Sequence, residues 1–278
     1  MNWEKLLNPN RPGDTTQKKP DHRVQFERDY DRTVFSTPVR RLQDKTQVFP
    51  LDPNDSVRTR LTHSLEVSTI ARGLARSVSI KLIEKGIITD IEMGRKIEAI
   101  AATCGLLHDL GNPPFGHSGE DAIINWFKNL QATDKAVEAL GKETSFEQDF
   151  SQFQGNAQTL RLITKLQLLA KPEGLNLTFG TLSASMKYIS NSLEAKEECA
   201  KPKQNRRHAN SKLGYFSSES SIVQRIREET GTGPHRNPIT FLVEAADDMA
   251  YSVVDIEDAT SKRNHRLDKT QRTFGKKA

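Results

Sequence analysis

Apolar positions along this chain recur at helical spacing far more often than they alternate. From Leu61, Val67, Ile70, Ala71, Leu74, Ala75 and Val78 fall on one face of a 3.6-residue helix. A second helix is expected to open at Thr89, with Glu92 completing a capping box. Its stripe is Met93, Ile97, Ile100, Ala101, Cys104 and Leu107, and Pro113 with Pro114 requires it to end soon after His108. Ser118 and Asp121 form another capping-box pattern, ahead of a helix through Ile123, Ile124 and Phe127. Further helices are expected over residues 157–169, 182–189 and 239–257, and a helix followed by a turn over 33–50. Residues 129–155 show little periodicity in their middle, and 191–212 read as a charged loop or frayed helix. Runs of alternating apolar residues are scarce, so the expected fold class is mostly α.

Four polar residues interrupt this pattern at telling places. His63 lies four residues before Val67 and seven before Ile70, on the inward face, and His108 extends the stripe of the second helix. Asp109 falls at a helix C-terminus, where an acid opposes the dipole and a cation would offset it. Asp247 and Asp248 lie in a helix rich in Val and Ala. Helical geometry does not choose between those two, since Tyr251 and Asp255 are on faces near both. Each feature alone is weak; an isolated histidine on an apolar face is more often a hydrogen-bonded core residue than a ligand. Two imidazoles and two carboxylates together make a ligand set for one divalent ion, and burial makes such groups want a partner. Mixed nitrogen and oxygen ligands suit Mn, Fe, Co, Ni or Zn, and Mg less well. Four protein ligands leave positions for water or a phosphate oxygen, as metal-assisted hydrolysis needs. Beyond the double proline, His117 and Glu120 read equally as a loop residue with a first-turn acid, or as an acid–base group and the carboxylate that tunes it.

The chain's 278 residues suffice for one large domain or two ordinary ones. A mean hydropathy of −0.64 and 28% charged residues point to a soluble protein. No apolar run reaches the length of a bilayer span, and the start carries no secretion pattern. Two distant cysteines, Cys104 and Cys199, suggest no disulfide framework, so a cytoplasmic location is expected. The net charge of +5 could attract polyanions, nucleic acid or nucleotide triphosphates. Much of the excess lies in 201–212 and after Ser261, where such charge is usually just solvated.

Several longer stretches stand out: Arg-Arg-Leu-Gln-Asp-Lys-Thr-Gln47-Val-Phe-Pro, Arg-Thr-Arg60-Leu-Thr-His63-Ser, and the run from Gly105-Leu-Leu-His108-Asp109 through Gly-Asn-Pro-Pro-Phe-Gly-His117-Ser-Gly-Glu120. Gly155-Asn156-Ala157-Gln158, Met186-Lys187-Tyr188 and Glu244-Ala-Ala-Asp247-Asp248-Met-Ala-Tyr251-Ser-Val-Val-Asp255 follow. In content and order these resemble the HD-domain phosphohydrolases, and within them the deoxyguanosine triphosphate triphosphohydrolases. The resemblance implies an all-α HD-domain fold with metal ligands His63, His108, Asp109 and Asp247, which resolves the Asp247/Asp248 choice. It implies a divalent metal, Mn or Mg first and Fe, Co, Ni or Zn as alternatives. It implies cleavage of a deoxynucleoside triphosphate, dGTP preferred, into deoxynucleoside and inorganic triphosphate. His117 and Glu120 match the catalytic pair. Gln47, Tyr251 and Asp255 match positions that hold the deoxyribose, and Arg60, Asn156, Lys187 and Tyr188 match positions lining the phosphate and sugar pocket. A homo-oligomer is expected as well.

The expected organisation is an extended N-terminal arm over 1–23, a phosphohydrolase domain over 24–259 and a basic tail over 260–278, with the family's C-terminal part read as missing. The alternative is an inactive or weakly active homologue that binds nucleotides or single-stranded nucleic acid, or serves in assembly.

Overall fold

The computed structural model describes residues 2–13, 22–50, 56–129, 144–166 and 174–253, together with Glu257 and Thr260. Among them every regular element is helical, and the only β pairing is two isolated bridges, Thr46 with Thr59 and Ser190 with Leu213. No helix among the described residues is long and apolar enough to cross a membrane. In chain order the helices are α1 (Trp3–Leu6), α2 (Gln25–Val34), α3 (Thr37–Arg41), α4 (Arg60–Glu84) and α5 (Ile91–Leu107). Next come α6 (His117–Lys128), α7 (Thr144–Ser151), α8 (Gly155–Thr164), α9 (Phe179–Ser185), α10 (Ser192–Ala200), α11 (Ser220–Thr230) and α12 (238–253).

The second helix of the sequence pattern, α5, organises the molecule. Every residue from Ile100 to Leu107 is buried, as expected of a segment that is apolar or small all the way round. Its Ile97, Ile100, Ala101 and Cys104 join Val67, Ala71 and Ala75 of α4 and Ile239, Val243, Ala246 and Ala250 of α12 in one core. Its last turn, Leu106 and Leu107, joins Leu160 and Ile163 of α8, Phe179 and Leu182 of α9 and Ile226 of α11 in a second. His108 caps α5 at the seam between the two cores.

Close approach of α4 and α5 depends on Gly105. A Cβ there would come within 2.7 Å of the Ser68 Cα, so any larger residue would push the helices apart. The α4–α5 spacing therefore sets how near His63 on one helix comes to His108 on the other.

Local signals differ from the sequence pattern in several places. The helix expected from Thr89 is capped by Asp90, whose carboxylate accepts from the Met93 N–H. The Ser118/Asp121 pattern does not cap α6, which starts two residues earlier, with Gly116 at φ +54° as its N-cap. Residues 191–200 form a well-capped helix, with Asn191 and Glu194 making a reciprocal box. The helix expected over 182–189 lies earlier, at Phe179–Ser185, and Met186 to Ile189 run on as irregular backbone. The structure adds α11, ended by Gly231 in the left-handed conformation. Residues 2–13, expected as part of an extended arm, begin with α1 and then pack on the body. There Arg11 pairs with Asp29 at 2.6 Å, both side chains buried. The remainder of that arm over 14–21, positions 167–169, Asp255 and the tail from 261 lie outside the described residues.

Candidate metal centre

Three helices deliver the ligand set. His63 comes from the first turn of α4, which Thr59 caps with its hydroxyl and Thr62 closes reciprocally. His108 stands at the end of α5, and Asp247 on α12. One ligand atom from each lies within 4.8 Å of the other two. His63 Nε2 is 3.1 Å and His108 Nε2 is 3.5 Å from Asp247 Oδ1, and the two rings meet edge to face at 5.2 Å. Asp248, the alternative acid, is exposed.

Hydrogen bonding fixes the chemistry of His108. Its Nδ1–H donates to the Gly105 carbonyl at 2.7 Å, so Nε2 carries the lone pair. That Nε2 is buried and has no hydrogen-bond partner. A lone pair aimed at a neighbouring imidazole and a carboxylate, with no donor to satisfy it, is what a cation would complete. Burial pushes the Asp247 carboxyl up, but the hydrogen bond from His63 and the nearby His108, His63 and Lys187 outweigh it, leaving it at about 2. Asp247 is thus an anion at neutral pH. The residues present fit a divalent ion.

Asp109 is close but differently engaged. Its Oδ1 lies 3.6 Å from His108 Nε2 and accepts from Asn112 Nδ2 at 2.5 Å, while Arg60 grips Oδ2. The unfavourable placement of an acid at the end of α5 is thus already offset by Arg60, a protein cation. Arg60 is occupied by this contact and does not line the cleft.

A cavity of about 250 Å³ opens beside these groups. His108, Asp109 and Asp247 line it, together with His117, Asn156, Lys187 and Tyr188 among others. His117 Nδ1–H donates to Glu120 Oε2 at 2.9 Å, and the imidazole is otherwise open, with its side chain 85% exposed. Glu120 is buried, and its second oxygen accepts the Gly155 N–H at 2.7 Å. A Cβ at Gly155 would strike the Asn112 side chain at 2.1 Å, so glycine is required for α8 to start there. Burial pushes the Tyr188 phenol up, as does Glu244, against the opposing effect of Lys187, so it remains a donor. Burial also pushes the Cys104 thiol in the cleft wall up, which keeps it neutral and unreactive.

Other expected residues are not gathered here. Gln47 is half-buried, and its Oε1 is enclosed without a partner. Tyr251 is on the exposed side of α12, 62% accessible. Asp255 lies outside the described residues.

The cleft also contains residues to which the sequence pattern assigns no role: Asn112, Gln154, Lys212 and Glu244. Asn112 and Glu244 stand inside the motifs that carry the family resemblance. Lys212, which sits 5.5 Å over the Tyr188 ring, belongs to a stretch whose charge suggests only a solvated loop. The bridge of Ser190 with Leu213, its neighbour in sequence, shows why that loop returns to the cleft.

A family model described as HD domain matches residues 60–172, the span from Arg60 through the His108-Asp109 turn and α8. A deoxyguanosinetriphosphate triphosphohydrolase-like protein of Listeria monocytogenes is 45% identical over 94% of this chain and 56% of its own length. A like-named protein of Synechocystis is 42% identical over 93% of the chain and 60% of its own. A deoxyguanosinetriphosphate triphosphohydrolase of Enterobacter is 37% identical over 88% of the chain and 52% of its own. The chain spans little more than half the length of these relatives.

Proposed function

Because the chain belongs to the HD-domain phosphohydrolases related to dGTPases, we propose that it hydrolyses deoxynucleoside triphosphates, dGTP foremost, to deoxynucleoside and inorganic triphosphate. The observation that carries this reading is the convergence of His63, His108 and Asp247 beside a cleft that also receives His117, whose partner Glu120 is buried behind it.

In this reading His63, His108, Asp109 and Asp247 hold a divalent ion, Mn or Mg, and Arg60 with Asn112 turns the Asp109 carboxylate towards it. Once bound, such an ion polarises a phosphoryl oxygen and makes a water nucleophilic at neutral pH. Glu120 accepts a hydrogen bond from His117 Nδ1–H, which orients the ring; with a second proton on Nε2, the imidazolium gives that proton to the leaving 5′-oxygen and returns to the neutral Nδ1–H form. Lys187, Tyr188 and Asn156, joined by Lys212, bind phosphate oxygens through donors only, as an anionic chain requires. Gln47, Tyr251 and Asp255 hold the deoxyribose and its 3′-hydroxyl; the enclosed, unpaired oxygen of Gln47 is suited to accept from such a donor. The phosphohydrolase domain is 24–259, working as a homo-oligomer.

Purified protein incubated with dGTP and Mn²⁺ is expected to give deoxyguanosine and tripolyphosphate in equal amounts. Release of pyrophosphate or orthophosphate rejects the reaction. Tight nucleotide binding with normal metal content and no product would favour the non-catalytic alternative. The same assay over the four dNTPs ranks the bases.

A further inference from the structure

Glu244 stands three residues before Asp247 on α12, and both line the cleft. The metal ligands account for Asp247. Glu244 has no such role, and it lines the same cleft as Lys187, Tyr188 and Lys212, the donors assigned above to phosphate, close enough to Tyr188 to act on its phenol. A carboxylate in that position repels a polyanion unless its charge is cancelled.

What cancels it is Arg236. Its Nη1 donates to Glu244 Oε2 at 2.6 Å and reaches the Lys187 carbonyl at 3.4 Å. The guanidinium lies over the Phe241 ring at 4.1 Å, which holds the plane in place. Arg236 is only 11% exposed, one contact behind the cleft wall. A guanidinium already stripped of most of its water, flat and preorganised, matches a phosphate as well as a carboxylate.

We propose that Arg236 is a further phosphate ligand, held in reserve by Glu244 and exchanged onto the distal phosphates when a polyphosphate occupies the cleft. Glu244 is then a specificity-determining residue: an anion enters this end only if it competes for Arg236 better than a single carboxylate does. This rests on the phosphohydrolase reading above.

The test is binding of inorganic tripolyphosphate to the metal-loaded full chain by calorimetry, which needs no turnover. Glu244→Gln releases Arg236 and is expected to tighten binding several-fold. Adding Arg236→Gln to that variant should weaken binding roughly tenfold, the loss of a charge-assisted hydrogen bond, and Arg236→Lys in its place should recover part of it. Equal affinities of Glu244→Gln and the double variant would overturn the proposal, because Arg236 would then only neutralise Glu244. Circular dichroism and metal content confirm that each variant is folded. If no form binds tripolyphosphate while metal and fold are intact, the phosphohydrolase reading fails too; the first outcome removes the inference alone.

Discussion

The two ends of the cleft are built on different principles. The metal end is carried by helices: His63, His108 and Asp247 project from α4, α5 and α12, whose apolar faces form one core. The end proposed to bind phosphate is carried by irregular backbone. Lys187 and Tyr188 follow the end of α9, Lys212 closes a loop of short 3₁₀ turns, and His117 sits after a turn in which Gly116 has φ +54°. At the first end, position is set by side-chain packing; at the second, by scattered hydrogen bonds. The difference implies that damage to the metal end harms metal affinity, fold and chemistry together, whereas damage to the other end harms chemistry alone.

The largest expected effect tests that coupling. His63→Ala should reduce dGTP hydrolysis to background and bring metal content well below one ion per chain. Activity retained with normal metal content would remove His63 from the ligand set. His117→Asn probes the opposite end. It should lower kcat by about 10²–10⁴-fold, the usual worth of a general acid, with metal content and melting temperature unchanged. A variant that also lost the metal would break the comparison, since the two ends would then not be independent.

The same contrast explains what is legible in the sequence. The stripes of α4 and α5 follow from the 3.6-residue period, so the inward faces of His63 and His108 can be read from spacing alone. Asp247 against Asp248 cannot, because Tyr251 and Asp255 lie on faces near both; the motif selects Asp247, and in the structure Asp247 joins the histidines while Asp248 is exposed. The cap at Asp90 lies one residue beyond the expected Thr89, since both make acceptable caps. The Arg60–Asp109 pair is invisible in the sequence because it joins residues 49 apart whose meeting depends on the α4–α5 crossing. Lys212 and Arg236 are out of reach for a similar reason: a charged loop looks solvated until the chain that it covers is known.

A third test lies between the ends, at the helix crossing. Gly105→Ala inserts a Cβ 2.7 Å from the Ser68 backbone, which has no flexible side chain to move aside. The helices must separate, at a cost of about 1–3 kcal/mol for an overpacked core. Thermal unfolding should show that loss. Metal titration should show weaker binding as well, because the crossing fixes the distance from His63 to His108. A destabilised variant with unaltered metal affinity would mean that the ligand positions are set by the helix ends and not by the crossing.

The smallest effect belongs to the metal-free protein and isolates charge from coordination. The folded-state pKa of Asp247, about 2, lies below its ordinary value of 3.8, through His63 and its cationic neighbours acting against burial. A carboxyl depressed in the folded state stabilises the fold fully above its unfolded value and loses that contribution as pH falls through the folded one. In EDTA, Asp247→Asn should therefore destabilise by on the order of 1–2 kcal/mol at pH 5. By pH 3 the gap to the unsubstituted chain should shrink by about half, as the unfolded carboxyl takes up its proton. Urea unfolding at the two pH values measures it. A gap of constant size would assign the loss to packing in the α4–α12 contact, and the metal end would then owe its stability to the helices with no help from the charge that they bring together.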